Sequence, residues 1–304
     1  MRDYKENKGF RLLDIYERFN KGEILNKSDL CNHYKVSEKT IQRDIEDLRV
    51  YLQEIHYKLD ESSIIYDKDK RGYRLIKYQR NWITNEEIMA LCKILLESRA
   101  FCKEELDSLI EKLLEQSYPE NRNVIENIIG NEKLNYVPLK HGQKLLSKIW
   151  ELSEIITNKE RIVIHYIRQD KKETIRDIKP VSIMFSEFYF YLIAYITESN
   201  KDIPIVYRID RIQKIEKTNE KFIIPYANKF QEGEFRKRVQ FMYAGELKRV
   251  KFEFTGPSLE AILDRLPTAE VVSKEGDKYI ITAESYGNGI DMWLGSQGEK
   301  VKVL

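Results

Sequence analysis

The hydrophobic period of this 304-residue chain changes to 2 at Arg161, and that change bounds what the chain can fold into. Just before it, apolar residues recur every three to four positions, the spacing of helices packed on one face. After it they alternate. Ile162–Ile167, Thr174–Phe185, Phe188–Ile196, Ile203–Ile209 and Ile212–Lys217 read as about five short strands with few helix signals between them, which suits a small closed barrel. A helix carrying Leu145, Leu146, Ile149, Trp150 and Leu152 leads into them. With hydrophobic residues at 42%, there is enough apolar material for two domains or three small ones. The expected class is multidomain α+β.

The N-terminal stretch reads as three helices and a hairpin. Leu12, Leu13, Ile15, Tyr16 and Phe19 recur at helical spacing, and Gly22 ends that helix. Ser28 is placed to cap a second helix through Leu30, Cys31 and Tyr34, and Ser37 a third, whose Ile41, Ile45 and Leu48 form one buried stripe. Tyr57–Leu59 and Ile64–Tyr66 then alternate as strands, followed by the charged tip Asp67 to Arg71, Gly72 and a returning Tyr73–Ile76. Helix, helix, tight turn, helix, hairpin is the winged helix-turn-helix order.

Residues 82–136 are helical and rather acidic. Thr84-Asn85-Glu86-Glu87 fits a capping box, and Leu91, Ile94, Leu95, Leu106, Leu109, Ile110 and Leu113 continue apolar stripes. The last segment reads strand (Arg249–Phe254), helix (Ser258–Leu266), strands (Glu270–Val272 and Tyr279–Glu284), helix (near Ile290–Leu294), strand (Val301–Leu304). That order is ferredoxin-like. The expected domains are therefore 1–78, a winged helix-turn-helix; 79–139, a helical bridge; 140–240, a barrel; and 241–304, a C-terminal module.

Several function classes are excluded by absence of pattern. No apolar run reaches the ~20 residues of a membrane span, and MRDYKENKGF is too polar for a signal peptide, so a cytoplasmic protein with no membrane partner is expected. Cys31, Cys92 and Cys102, with His33, His56, His141 and His165, have neither disulfide nor zinc spacing, so no metal is expected. There is no Gly-x-x-x-x-Gly-Lys-Ser/Thr loop, Gly-x-Ser-x-Gly elbow or His-Glu-x-x-His pair. No catalytic residue and no cofactor are assigned, and an enzyme is not expected. Net charge is only +2, yet its distribution alternates: +3 over residues 1–80, −4 over 81–140, +5 over 141–240 and −2 over 241–304. Two mildly basic blocks suit two anion-facing modules.

The segment Val36–Leu48 has the make-up of a recognition helix. Such a helix buries one stripe and presents polar groups near its N-terminus to base edges and phosphates. Ser37, Lys39, Thr40, Gln42 and Arg43 offer short hydroxyls and long donors; Asp44, Glu46 and Asp47 would sit poorly against phosphate and should point away. Lys70 and Arg71 belong to the hairpin tip. The plainer alternatives are an amphipathic surface helix and a solvated turn.

Val36–Leu48, with Lys68-Asp69-Lys70-Arg71-Gly72-Tyr73-Arg74-Leu75, resembles the DeoR-type winged helices of bacterial regulators. Phe188-Tyr189-Phe190-Tyr191-Leu192-Ile193-Ala194-Tyr195 and Tyr207-Arg208-Ile209-Asp210-Arg211-Ile212 are similar to the two signature stretches of the WYL domain, an Sm-like barrel. Phe190 stands where that family usually has Trp, and Ile203-Pro204-Ile205 lacks a basic residue common there. Tyr166, Arg176 and Pro180 match upstream, and Met292-Trp293-Leu294-Gly295 with Val301-Lys302-Val303-Leu304 is similar to the family's C-terminal extension. The resemblance covers nearly the whole chain.

It implies a transcriptional regulator that binds a double-stranded operator with an inverted repeat, acts as a homodimer, and senses an effector in the barrel. Tyr166, Arg168, Arg176, Tyr191, Tyr207, Arg208 and Arg211 mix guanidinium forks with aromatic rings, as a nucleotide or single-stranded nucleic-acid site requires. The alternative is that these rings are core and the arginines pair with Asp177 and Asp210. Two rival functions stay open: a module whose barrel is itself an RNA or single-strand surface, without sensing, and an enzyme fused to a DNA anchor.

Overall fold

The computed structural model describes residues 7–55, 63–76, 83–117, 119–199, 203–223 and 230–304. The strand expected at Tyr57–Leu59 and the boundary expected at 78/79 lie outside the described residues. Contacts divide the chain into two units, Met1–Glu97 with Leu106–Tyr136, and Ser98–Glu105 with Val137–Leu304. Each combines helices with antiparallel strands, giving a mixed α and β molecule. No described helix is long and apolar enough to cross a membrane.

The first unit opens with α1 (Lys8–Asn20), α2 (Lys27–Tyr34) and α3 (Glu38–Ile55), followed by β1 (Ser63–Asp67) and β2 (Gly72–Ile76), an antiparallel hairpin. Its core is Ile15, Phe19, Leu30, Tyr34, Ile41, Ile45, Leu48, Leu52, Ile64 and Leu75, each large side chain contributing about 1.5–3 kcal/mol by leaving water. The cap of α2 is Asn26, not Ser28. The Asn26 side-chain oxygen, in extended backbone, accepts from the Ser28 amide at 2.8 Å and its hydroxyl at 2.7 Å, and Ser28 is already the second helical residue. Ser37 does cap α3, accepting from the Thr40 amide at 3.3 Å. Leu13 points outward, while Ile15 and Phe19 carry the burial. Gly72 starts β2 where the backbone of Leu25 passes, and a Cβ there would come within 2.6 Å of Ile24.

Three further helices follow in this unit, α4 (Asn85–Ser98), α5 (Lys103–Leu114) and α6 (Pro119–Leu134), of which α5 begins in the other unit. The capping box forms in both directions: Thr84 N donates to Glu87 at 2.8 Å and Glu87 N to Thr84 Oγ1 at 3.2 Å. The buried stripe of α4 is Ile88, Cys92 and Leu96, whereas Leu91 and Ile94 are exposed. Sequence spacing alone admits either stripe; the one that packs is completed by Cys92, a small apolar side chain that is not counted when only large residues are tracked.

In the second unit α7 (Leu146–Asn158) starts under Glu105, whose buried carboxylate accepts from the Leu145 amide at 2.9 Å and the Leu146 amide at 3.0 Å. A negative group there satisfies orphan amides and suits the helix dipole. Five strands come next: β3 (Glu160–Ile167), β4 (Glu173–Ser186), β5 (Tyr189–Ile196), β6 (Ile205–Arg208) and β7 (Ile212–Lys221), with a single 3-10 turn, Ile209–Arg211, between the last two. They form an antiparallel sheet in the order β6-β5-β4-β3-β7. Residues 173–178 of β4 pair with β3 and residues 178–186 with β5, with a register shift at Pro180–Ser182, where proline has no amide to give the ladder. Among the described residues no ladder joins β6 to β7, and the Ile209–Arg211 turn alone carries the chain between the two outer strands. Leu152 and Ile155 of α7 complete the core with Ile162, Ile164, Ile178, Leu192, Tyr207, Ile209 and Ile212.

A short helix that the sequence reading missed, α8 (Glu232–Arg238), precedes the last module. There β8 (Leu247–Phe254), α9 (Leu259–Arg265), β9 (Glu270–Glu275), β10 (Lys278–Tyr286), α10 (Gly289–Ser296) and β11 (Val301–Val303) form an antiparallel sheet ordered β11-β8-β10-β9. Val250, Phe252, Phe254, Ile281 and Ala283 alternate onto the face packed with Ile262, Leu266, Ile290 and Leu294 of the two helices.

Candidate functional site

On α3 the structure separates two kinds of polar residue. Ser37, Lys39 and Arg43 are exposed, and Thr40 and Gln42 are half-buried. The Ser37 and Thr40 hydroxyls lie 3.0 Å apart, so both serve the helix start as well as facing out. Asp44, Glu46 and Asp47 are each matched to a cation. Asp44 is buried and takes the Arg11 fork at 2.5 and 3.2 Å, with the two side chains only 1% and 5% exposed. Glu46 pairs with Arg49 at 3.0 Å and Asp47 with Lys8 at 2.7 Å. Among the described residues Lys39 and Arg43 form no ion pair, so both keep their charge at the surface of the first turns of α3.

The hairpin tip is built by Asp67, whose Oδ1 accepts from the amides of Asp69 and Lys70 at 3.1 Å each. Those amides, the Lys70 one first, hold its carboxyl below the usual range, and Arg74 adds to them. Arg71 closes the turn in the left-handed region (φ 51°), and its carbonyl accepts from Asn26 at 2.8 Å. Lys70 and Arg71 therefore stand exposed beside the start of α2.

In the five-stranded sheet, Tyr166, Tyr191, Tyr207 and Arg208 come together. The Tyr166 and Tyr207 rings meet edge to face at 5.1 Å, the Tyr166 hydroxyl accepts from the Arg208 amide at 3.4 Å, and Tyr191 is the register partner of Arg208. The Arg208 guanidinium lies 3.4 Å over the Tyr189 ring and donates to both oxygens of Asp210, at 3.0 and 2.7 Å. Burial would lower its pKa, but Asp210 more than offsets that and holds it above its ordinary value. Burial pushes the Tyr191 and Tyr207 phenols up to about 12 each. The Tyr207 hydroxyl is buried with no partner among the described residues.

Arg176 lies close enough to act on the Tyr207 charge and Arg211 on that of Tyr191, though among the described residues Arg176 donates only to the Ile175 carbonyl at 3.1 Å. Arg168 is not brought into this group; it stands at the β3–β4 turn, 3.6 Å from Asp170. Asp177 serves none of these arginines. It takes the Arg161 fork at 2.7 to 3.0 Å and the Thr197 hydroxyl at 2.6 Å. Tyr189, which sequence reasoning passed over, sits two residues before Tyr191 on β5, so period 2 could have placed it on the same face. Phe190 points elsewhere, against Phe101 at 5.6 Å and Phe185 at 5.1 Å. His165 is tied to Glu216 at 2.9 Å. Among the described residues, no group of three or more His, Cys, Asp or Glu side chains could hold a metal ion.

The segment that holds this aromatic and arginine cluster is a known one: residues 148–217 match the family model of the WYL domain. The chain carries a WYL domain, running from the first turn of α7 into β7. Two solved structures are similar to it. One is proteasome accessory factor B/C (PafBC) of Arthrobacter aurescens, at 16% identity and a TM-score of 0.30, covering 96% of this chain and 43% of that one. The other is a CRISPR Cas-related protein, at 13% identity and a TM-score of 0.36, covering 98% of this chain and 86% of that one. The chain thus spans less than half the length of PafBC. No curated protein sequence matches it.

Proposed function

We propose that this WYL-domain protein is a transcriptional regulator that binds rather than catalyses. Residues 7–76 act as a winged helix-turn-helix on double-stranded DNA, and the WYL domain, read as an Sm-like barrel, senses a nucleotide or single-stranded nucleic acid. The ferredoxin-like C-terminal module helps to hold a homodimer on an inverted repeat. One observation carries the reading: α3 keeps its exposed Lys39 and Arg43 out of ion pairs while Asp44, Glu46 and Asp47 are all matched. That asymmetry suits a phosphate backbone. Support for sensing comes from a buried Tyr207 hydroxyl that has no partner among the described residues, close to Arg176.

The test is a mobility shift of the full chain on DNA from its own upstream region, over a salt series. Retardation should weaken steeply as salt rises, and Arg43→Ala should cost about 1–3 kcal/mol of specific binding without altering the fold. No retardation at low salt ends this reading. Adding nucleotides or short single strands to the bound complex tests the effector, and light scattering at micromolar protein tests the dimer.

A further inference from the structure

Gln42 sits on the flank of α3 that meets the hairpin, and its amide is held from one side. Tyr73 of β2 donates its hydroxyl proton to Gln42 Oε1 at 3.0 Å. The ring delivering that proton has little freedom. Tyr73 is buried, its amide and carbonyl are bonded to Leu25 at 2.8 Å each, and Tyr66 meets it edge-on at 5.1 Å. Lys27 and Arg49 stand over its faces at 5.9 and 5.8 Å. Arg49 is itself anchored on the Ile64 carbonyl at 2.8 Å. Gln42 Nε2 has no partner among the described residues, and the next residue, Arg43, is exposed.

We infer that Gln42 is a specificity-determining residue that presents only hydrogen-bond donors, and so selects guanine over adenine at the position it reads. This rests on the DNA-binding reading above. A glutamine free at both ends of its amide pairs with adenine by accepting from N6 and donating to N7. With Oε1 turned toward Tyr73, the end left for the groove is the NH2 group. Two donors meet guanine O6 and N7, both acceptors, but face the N6 donor of adenine. The hairpin therefore shapes base choice through a contact that touches no DNA.

The experiment is in vitro selection from a randomised duplex library with the full chain, followed by affinity measurement on matched sites differing at one base pair. Gln42→Ala identifies the position that loses its preference. The wild type should favour guanine over adenine there by about tenfold or more. Tyr73→Phe, which removes one oxygen and keeps the ring, should bring guanine and adenine to within a few-fold, with affinity for the rest of the site kept. Gln42→Lys, donors only, should retain the guanine preference and does not depend on Tyr73; Gln42→Glu should lose it. Adenine at that position in the wild type, or an unchanged ratio in Tyr73→Phe, overturns the inference while leaving DNA binding intact. A library that yields no enriched sequence overturns both.

Discussion

The helix α3 and the WYL domain both set arginines against aspartates, and they do it to opposite effect. On α3 the ion pair points inward: Arg11 reaches from α1 to Asp44, and the outward Lys39 and Arg43 are left with their charge. In the WYL domain the pair includes the signature arginine itself, since Arg208 is clamped by Asp210 and stacked on Tyr189. A second fork joins Arg161 to Asp177. The difference teaches that the signature arginine is not free charge, and that the +5 of residues 141–240, which neutral pairs leave unchanged, sits on other side chains. Of the arginines expected at an effector site, Arg176 and Arg211 form no ion pair among the described residues, so the proposed site would draw on those two and the tyrosines.

The sharpest way to break the comparison is to remove the inward pair. Asp44→Ala leaves Arg11 buried with no counter-charge, and should cost about 3–5 kcal/mol in urea unfolding of the first unit. The double variant Arg11→Met, Asp44→Leu should recover most of that, because well-packed apolar side chains replace a buried pair at little cost. If the single variant loses less than about 1 kcal/mol, the pair is solvated and α3 is not held as described.

The corresponding change in the WYL domain is smaller. Arg208 is 19% exposed, so Asp210→Ala should cost about 2 kcal/mol after allowing for solvent screening. Arg211→Ala should stay within about 0.5 kcal/mol of the wild type. Were Arg208→Ala to leave stability untouched and abolish nucleotide binding, Arg208 would be a free binding group and the contrast with α3 would vanish.

These pairs also show where the sequence was readable. The stripe Ile41, Ile45, Leu48 and the alternation after Arg161 are periodic, and periodicity reports which face is buried. The order of elements followed from it, down to the two-way capping of Thr84 and Glu87. Partner choice did not follow. Asp44 was expected to turn away from phosphate, but nothing local says that it turns toward a residue 33 positions earlier. Asp177 was weighed as a partner for the signature arginines, yet Arg161 on the adjoining strand claims it. Closure of the sheet was not legible for a related reason: strand number is visible in a pattern, whereas which edges meet depends on bulges such as that at Pro180–Ser182.

On the DNA-binding reading, the hairpin tip gives an effect on affinity with no effect on fold. Lys70 and Arg71 sit at an exposed tip whose shape is set by the backbone and by Asp67. Replacing both with Ala should weaken binding to all sequences alike and lower the salt slope by up to about 2. A changed sequence preference with an unaltered slope would place these side chains at base edges instead, and the tip would join Gln42 as a reader.

The smallest expected effect tests whether the outer fork of the WYL domain is structural. The Arg161 guanidinium, with the Thr197 hydroxyl, holds the Asp177 carboxyl below its ordinary 3.8. A carboxyl with a depressed folded value binds its proton more readily in the unfolded chain. Its stabilisation is therefore fully present above about pH 4 and fades as the pH falls through the folded value. Both side chains are nearly a third exposed, so solvent screening keeps the pair's contribution small. Asp177→Asn should accordingly lower the urea midpoint at pH 7 and at pH 5 by similar amounts, with the gap to the wild type closing below pH 3. Closure identifies the interaction as charge on charge, built into the sheet and unavailable to a ligand. A gap that stays constant down to pH 2 would mean that the amide of the variant fails by shape, and Arg161 would then count with Arg176 and Arg211 among the cations an effector can use.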